Sequence, residues 1–250
     1  MLPERIKQIF PSSSILQAKA YREYWKGEPE LRLLRTLVNP ARESLDIGAA
    51  EGIYTYFLSR CSKHVHAYEP NPKFCEFIAN AGVGKTTLHN VAASDREGEA
   101  ILSIPIVDGV QNPWQARVYG SAPLDSSAVP IHVSLRRLDE MGHTNVGFIK
   151  IDVEGHEAAV LRGASRLIEQ SAPTLLIEIE QRHIQGPIQD VFNMVAEMGY
   201  AGFFLKDWVL RSIATFDLEE DQLKHLHKLH SRRYINNFIF MPHGPHGSHQ

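Results

Sequence analysis

Apolar and polar positions along the chain follow two periods, and the switches between them mark out the elements. In residues 28–38 the apolar side chains Leu31, Leu34 and Val38 fall at helical spacing behind a proline and acids, and residues 1–40 as a whole predict helices. Residues 43–48 predict a short buried strand that ends at a glycine turn. Residues 53–60 predict a helix, 64–69 a second strand, 71 onward a helix, and 86–93 a third strand. The pattern then changes. Residues 99–105 and 131–135 predict an inserted antiparallel pair, separated by a long polar segment over about 108–130. Loops of that length act as lids or stay disordered. Alternation resumes with a strand at 146–152, a helix at 156–170, a strand at 173–180 and a helix around 188–198. Short strands follow at 202–205 and 237–241, with a helix candidate at 218–230 between them.

Alternating strands and helices with continuous apolar strands imply an α/β fold, a mostly parallel sheet with helices on both faces. The expected organisation is an N-terminal helical extension (1–40), one domain (41–242) and a disordered tail (243–250). In such sheets ligands bind at the carboxyl ends of the strands, so the residues that close each strand carry the functional question.

Composition narrows the classes. A formal charge of -3 gives no general attraction to nucleic acid. Two cysteines, Cys61 and Cys75, are too few for a disulfide framework or a zinc site. No apolar stretch has the length of a membrane span, and the N-terminus has no secretory core, so a cytoplasmic protein is expected.

Three strand ends hold a cofactor pattern. The first is Asp46-Ile-Gly-Ala-Ala-Glu-Gly52, where glycines let a ligand approach the backbone. The second is Glu69, followed by Pro70, about twenty residues on, where an acid accepts hydrogen bonds from ribose hydroxyls. A dinucleotide loop requires a second glycine to admit pyrophosphate, but Ala50 stands there and Glu51 repels phosphate. S-adenosylmethionine carries a sulfonium and no phosphate, so Asp46 and Glu51 suit it. Gly48, Ala49 and Gly52 complete this loop. The third strand end, Asn90-Val-Ala-Ala-Ser-Asp95, would border the adenine through Ala92 and Ser94, with Asp95 either a ligand or the start of a turn.

Reaction chemistry points to Ile149-Lys-Ile-Asp-Val-Glu-Gly-His-Glu157. Asp152 closes a strand at the cofactor crevice, Glu154 follows, and His156 opens a helix whose positive end keeps its ring neutral and basic. Methyl transfer to a hydroxyl needs a group to receive the proton. Glu178 and Glu180 share a strand face and would meet Asp152, holding an acceptor hydroxyl or a divalent ion; a metal is not expected. Trp114, Arg117 and Tyr119 in the long polar segment are candidates for stacking on an acceptor. Histidines at 225, 227 and 230, and at 243, 246 and 249, lack the carboxylate or cysteine frame of a metal site.

These residues resemble the FkbM-type methyltransferases. The glycine loop, Tyr68-Glu-Pro-Asn-Pro72, Asn90-Val-Ala-Ala-Ser-Asp, Leu135-Arg-Arg-Leu-Asp139, the Lys150-to-Glu157 run and Val160-Leu-Arg-Gly-Ala164 carry the likeness, over about residues 43–182. It implies a Rossmann-like class I methyltransferase fold and O-methylation of hydroxyls on sugars, glycans or natural products. It also implies that Gly48, Glu69 and residues 90–95 line the cofactor, with residues 152–156 on the reaction side. Many relatives carry Asn where Glu51 stands. The implied partner is a small-molecule or glycan acceptor. N-methylation and a non-catalytic cofactor-binding module are the competing readings, and oligomeric state is left open.

Overall fold

The structure, a computed structural model, describes residues 10–107, 109–119, 128–229 and 231–243. In chain order, α1 (Ser12–Lys26), a 3-10 turn at Pro29–Arg32 and α2 (Leu34–Leu37) precede β1 (Glu43–Ile47), α3 (Ile53–Leu58), β2 (Val65–Tyr68), α4 (Pro72–Ala81) and β3 (Thr86–His89). Five strands follow: β4 (Ala92–Ala93), β5 (Gly98–Val107), β6 (Val110–Gln111), β7 (Arg117–Tyr119) and β8 (Ala128–Arg136). Then come β9 (Val146–Ile151), α5 (Glu157–Gly163), α6 (Ser165–Ser171), β10 (Thr174–Glu178) and α7 (Ile188–Glu197). The chain ends with β11 (Tyr200–Lys206), β12 (Val209–Ser212), α8 (Leu218–Asp221) and β13 (Asn237–Pro242).

The main sheet has eight strands in the order β12-β11-β13-β10-β9-β1-β2-β3. Strands β3, β2, β1, β9 and β10 run parallel; β13 lies antiparallel between β10 and β11, and β12 pairs antiparallel with β11. Strand order reverses between β1 and β9, which is the topological switch point where α/β sheets bind ligands. The inserted strands form a smaller sheet, β4-β8-β5-β6, with β7 on β5.

Local sequence accounts for the elements. Helix α4 begins at Asn71, whose side chain accepts from the Lys73 N–H at 3.1 Å, has Pro72 in its first turn, and ends at left-handed Gly82. Helix α7 buries Ile188, Val191, Phe192 and Val195, a continuous helical stripe. Strand β9 is buried at every position, as an apolar run covered on both faces must be. On one sheet face Ile149, Leu175, Ile177 and Phe238 pack beneath α5 and α7. On the other, Phe148, Leu176 and Ile239 meet Leu31, Leu34 and Val38, so residues 31–38 share the core of the main sheet.

Five features depart from the expected pattern. The 86–93 strand divides, β3 staying in the main sheet while β4 pairs with β8. The 156–170 helix breaks between α5 and α6, where Gly163 lies so close to the Ser94 carbonyl that a Cβ would fall 1.9 Å from it. In the 108–130 segment, β6 and β7 fold back on β5. The 218–230 helix is α-helical only through Asp221 and continues as a 3-10 stretch to Lys228. The hairpin joining β11 to β12 turns at Asp207 and Trp208, both at positive φ (52° and 64°), and a tryptophan is no signal for such a turn. Residues 244–250, the N-terminal nine and His230 lie outside the described residues. Among the described residues no helix is long and apolar enough to cross a membrane.

The Gly163 contact predicts that Gly163→Ala destabilises the protein by about 1–3 kcal/mol or more, because backbone must move to admit the methyl. Gly84→Ala, where a Cβ meets nothing within 4 Å, is expected to be neutral within about 0.5 kcal/mol. Urea unfolding of the two variants checks the contrast.

Candidate active site

The turn after β1 is built around two close approaches. Gly48 sits at φ 80°, its N–H donates to the Tyr68 carbonyl at 2.9 Å, and a Cβ there would lie 1.8 Å from the Asp152 carbonyl oxygen. Gly52, also at φ 80°, caps α3 with its Cα against Ile78, whose side chain a Cβ would approach to 3.0 Å. Between them Ala50 holds a positive φ of 45°, fixed by its N–H donating to Glu69 Oε2 at 2.7 Å. Asp46 lies behind this loop, 1 % exposed, accepting from the Thr55 hydroxyl at 2.5 Å, and burial raises its pKa to about 6. Ala49 packs on Ala67 and Ile78. Asp46, Ala49 and Gly52 therefore shape the loop from behind, while Gly48, Ala50 and Glu51 line a cavity of about 1050 Å³.

Glu69 closes β2 and lines the same cavity. Its Oε2 takes the Ala50 N–H and its Oε1 the Asn71 N–H, each at 2.7 Å. A carboxylate has about four acceptor positions, so two remain for hydroxyls. Burial lifts Glu69 to about 7 against these two backbone donors. Glu51 is neutralised by Lys19 of α1, which crosses to it from 32 residues away. Pro70 and Ala92 line the cavity beside Val91 and Ala93. Ser94 is buried, its hydroxyl 2.9 Å from His156 Nε2, and Asp95 turns outward to Arg162 at 3.0 Å. Asp95 is thus a surface ion pair, and His156 leans toward the residues 91–94 side of the cavity. Burial lowers the His156 pKa.

On the far side the cavity floor is a carboxylate cluster around Lys150, a cation 1 % exposed inside strand β9. Its Nζ lies 3.7 Å from Asp152, 3.9 Å from Glu178 and 3.3 Å from the Asn237 side-chain oxygen, with the Tyr54 ring at 5.0 Å. Burial alone would depress this ammonium, and Asp152, Glu178 and Glu28 together hold its pKa up. Glu28 in turn accepts from the Tyr54 hydroxyl at 2.5 Å. Glu30 is buried nearby and pushed up to about 8 by that burial. Sequence reading assigned none of Lys19, Glu28, Glu30 or Lys150 to the site. Only Lys150, a charge inside an apolar strand, carried a signal.

Asp152 donates its N–H to the Ile47 carbonyl at 2.9 Å, which ties the two strand ends together. The turn that follows places Glu154 at φ 52° and Gly155 at φ 100°; a Cβ on Gly155 would fall 2.4 Å from the His183 carbonyl. Glu157 holds this turn through the Gly155 N–H at 2.9 Å. Glu154 lines the cavity and meets His183 Nδ1 at 2.6 Å behind it. Glu178 and Glu180 reach the cavity as expected. Glu180 is buried and spent on Arg182 and the Tyr234 hydroxyl, so it is a structural acid before it is a ligand. Trp114 lines the cavity and packs against Phe74, with ring centroids 6.0 Å apart. Arg117, on β7, is not among the lining residues, and the side chain of Tyr119 lies outside the described residues.

The sequence profile of the methyltransferase FkbM domain matches residues 46–203. The chain belongs to the FkbM methyltransferase family. Among solved structures, an FkbM methyltransferase from Methylobacillus flagellatus KT is similar at a TM-score of 0.52 and 18% identity, over 80% of this chain. This chain spans 44% of that protein's length. A putative methyltransferase, SMU.1697c from Streptococcus mutans in complex with SAH, aligns at a TM-score of 0.46 and 12% identity, over 85% of this chain and 96% of the other. No curated protein sequence matches the chain. The Rossmann-like class I methyltransferase fold expected from the sequence stands. The residues present would suit S-adenosylmethionine: Glu69 keeps acceptor positions for a diol, and Ala50 stands where a dinucleotide loop needs the glycine that admits a pyrophosphate.

Ribose hydroxyls donate to a carboxylate and not to its acid form. With Glu69 raised to about 7, binding is full above that pH and weakens as pH falls through it. The affinity for S-adenosylhomocysteine is expected to fall about tenfold from pH 8 to pH 6. Calorimetry at the two pH values checks this; equal affinities would contradict it.

Proposed function

We propose that this FkbM methyltransferase methylates a hydroxyl on a sugar, glycan or natural-product acceptor, with Glu154 receiving the proton. The observation that carries the reading is one cavity lined both by Gly48, Ala50, Glu51 and Glu69 and by Asp152, Glu154 and Glu178. When bound, S-adenosylmethionine supplies an electrophilic methyl group. The acceptor oxygen gains a carbon and must lose its proton to a nearby base. Burial raises the Glu154 pKa, opposed by His183, so its carboxylate is a better base than an exposed one. Asp152, tied to Ile47, is the orienting group at the crevice, with the Lys150 ammonium 3.7 Å from it and 3.9 Å from Glu178. Trp114 offers an exposed aromatic face for a sugar ring. His156, bonded to Ser94, serves the cofactor end in this scheme and is not the base.

The surplus of acids over bases along the cavity wall also suits a protonated amine, which favours N-methylation as the second reading. An amine acceptor loses its proton to water before transfer and depends little on Glu154.

The test begins with labelled S-adenosylmethionine and fractionated hydroxyl and amine acceptors, read by mass spectrometry. For a hydroxyl acceptor, Glu154→Gln is expected to lower kcat by about 10²–10⁴ with cofactor affinity unchanged. His156→Ala is expected to raise the KM for the cofactor with a smaller effect on kcat. Full kcat in Glu154→Gln would sink the assignment of the base, and labelling of amines alone would favour the second reading.

A further inference from the structure

A cluster of imidazoles lies on the β1-β2-β3 side of the main sheet, where methyl transfer gives it no role. His66 sits on β2 with His64 just before that strand, His89 ends β3, and His143 comes from the turn before β9. The His66 ring is 4.5 Å from that of His143, 4.9 Å from His64 and 5.5 Å from His89, centroid to centroid. Glu43, at the start of β1, joins them: one ligand atom each from Glu43, His66 and His143 lies within 4.8 Å of the other two.

Two observations give this cluster a chemistry. First, His66 Nε2 and Glu43 Oε2 are 3.6 Å apart, too far for a hydrogen bond. Two donors about 2.0–2.1 Å from one tetrahedral ion stand about 3.3–3.5 Å apart, so little movement would bring both onto it. Second, the remaining ring nitrogens already have partners. His66 Nδ1 is 3.2 Å from His89 Nε2, and His143 Nε2 is 2.5 Å from the Tyr68 hydroxyl. Such outer partners fix the tautomer and orient a ligating imidazole, and they leave His66 Nε2 and His143 Nδ1 free. A second grouping, Glu154, Glu180 and His183, lacks this freedom, because Arg182 and Tyr234 occupy the Glu180 carboxylate.

We propose that Glu43, His66 and His143 bind one divalent ion of the zinc class, with water completing the shell. Two imidazoles and one carboxylate match zinc in ligand type and number. The ion would tie β1 and β2 to the turn before β9. Since the Tyr68 carbonyl accepts the N–H groups of Gly48 and Ala49 at 2.9 and 3.1 Å, it would also brace the strand that holds the cofactor loop. The site is independent of the proposed acceptor chemistry.

Titration of the chelator-treated full chain with Co²⁺ and Zn²⁺ tests it. One ion per chain is expected, with the visible absorption of four-coordinate Co²⁺ and a Tm rise of about 5–10 °C when Zn²⁺ is a hundredfold above its Kd. His143→Ala and His66→Ala should each abolish the absorption. Glu43→Gln should weaken binding at least tenfold and covers the case in which His66→Ala does not fold. A chain carrying His243→Ala, His246→Ala and His249→Ala should bind as the wild type does. The proposal is overturned by absence of binding, by binding that survives the three cluster substitutions, or by binding that disappears with the terminal histidines.

Discussion

The structure turns on the place where β1 and β9 end side by side. Gly48 passes the Asp152 backbone so closely that no side chain fits between them, and the Asp152 N–H bonds the Ile47 carbonyl. Both strands are therefore spent at the same level, and their continuations part in opposite directions. One runs into the Ala49–Gly52 loop and α3, the other into the Glu154–Gly155 turn and α5. The crevice between them is a consequence of sheet topology and this single contact. The Gly48 loop assigned to the cofactor hangs from the first continuation, and the proposed base Glu154 from the second.

Charge balance is the second constraint. A buried ammonium costs several kcal/mol unless its partners are held in place. Lys150 is buried in the sheet, and Asp152, Glu178 and Glu28 gather around it from three separate segments. Burial first, and then repulsion from Asp152, raises the pKa of carboxyls beside the crevice, Glu154 and Glu178 among them. The N-terminal residues complete this arrangement. Leu31, Leu34 and Val38 anchor them in the core, which brings Glu28 beneath Lys150's ring neighbour Tyr54 and Lys19 across to Glu51. They are a wall of the cavity as much as an extension of the chain.

What the sequence conveyed follows from which signals are local. Apolar runs with turn residues between them announced the parallel strands, and Glu69 was legible because its distance from the glycine loop is set by one βα unit. Periodicity showed that Leu31 and Leu34 are buried but not which surface the neighbouring acids face, so Glu28 and Glu30 went unread. The 156–170 helix was read too long because its break comes from a contact with Ser94, far away in sequence. His156 looked like a base from its place at a helix start; its partner, the Ser94 hydroxyl, is 62 residues distant. Asp46 and Asp95 had the right residue type at strand ends, yet Thr55 and Arg162 claim them. The Glu43–His66–His143 cluster draws on three segments and left no spacing to recognise.

The central claim is that Glu69 and the Gly48 loop seat the cofactor so that its reactive end meets Asp152 and Glu154. A crystal structure of the complex with S-adenosylhomocysteine measures this directly. The account predicts both ribose hydroxyls within about 3.2 Å of the Glu69 carboxylate, and the sulfur on the Asp152–Glu154 side of the cavity. A ribose held elsewhere, or a sulfur turned away from Glu154, would contradict it.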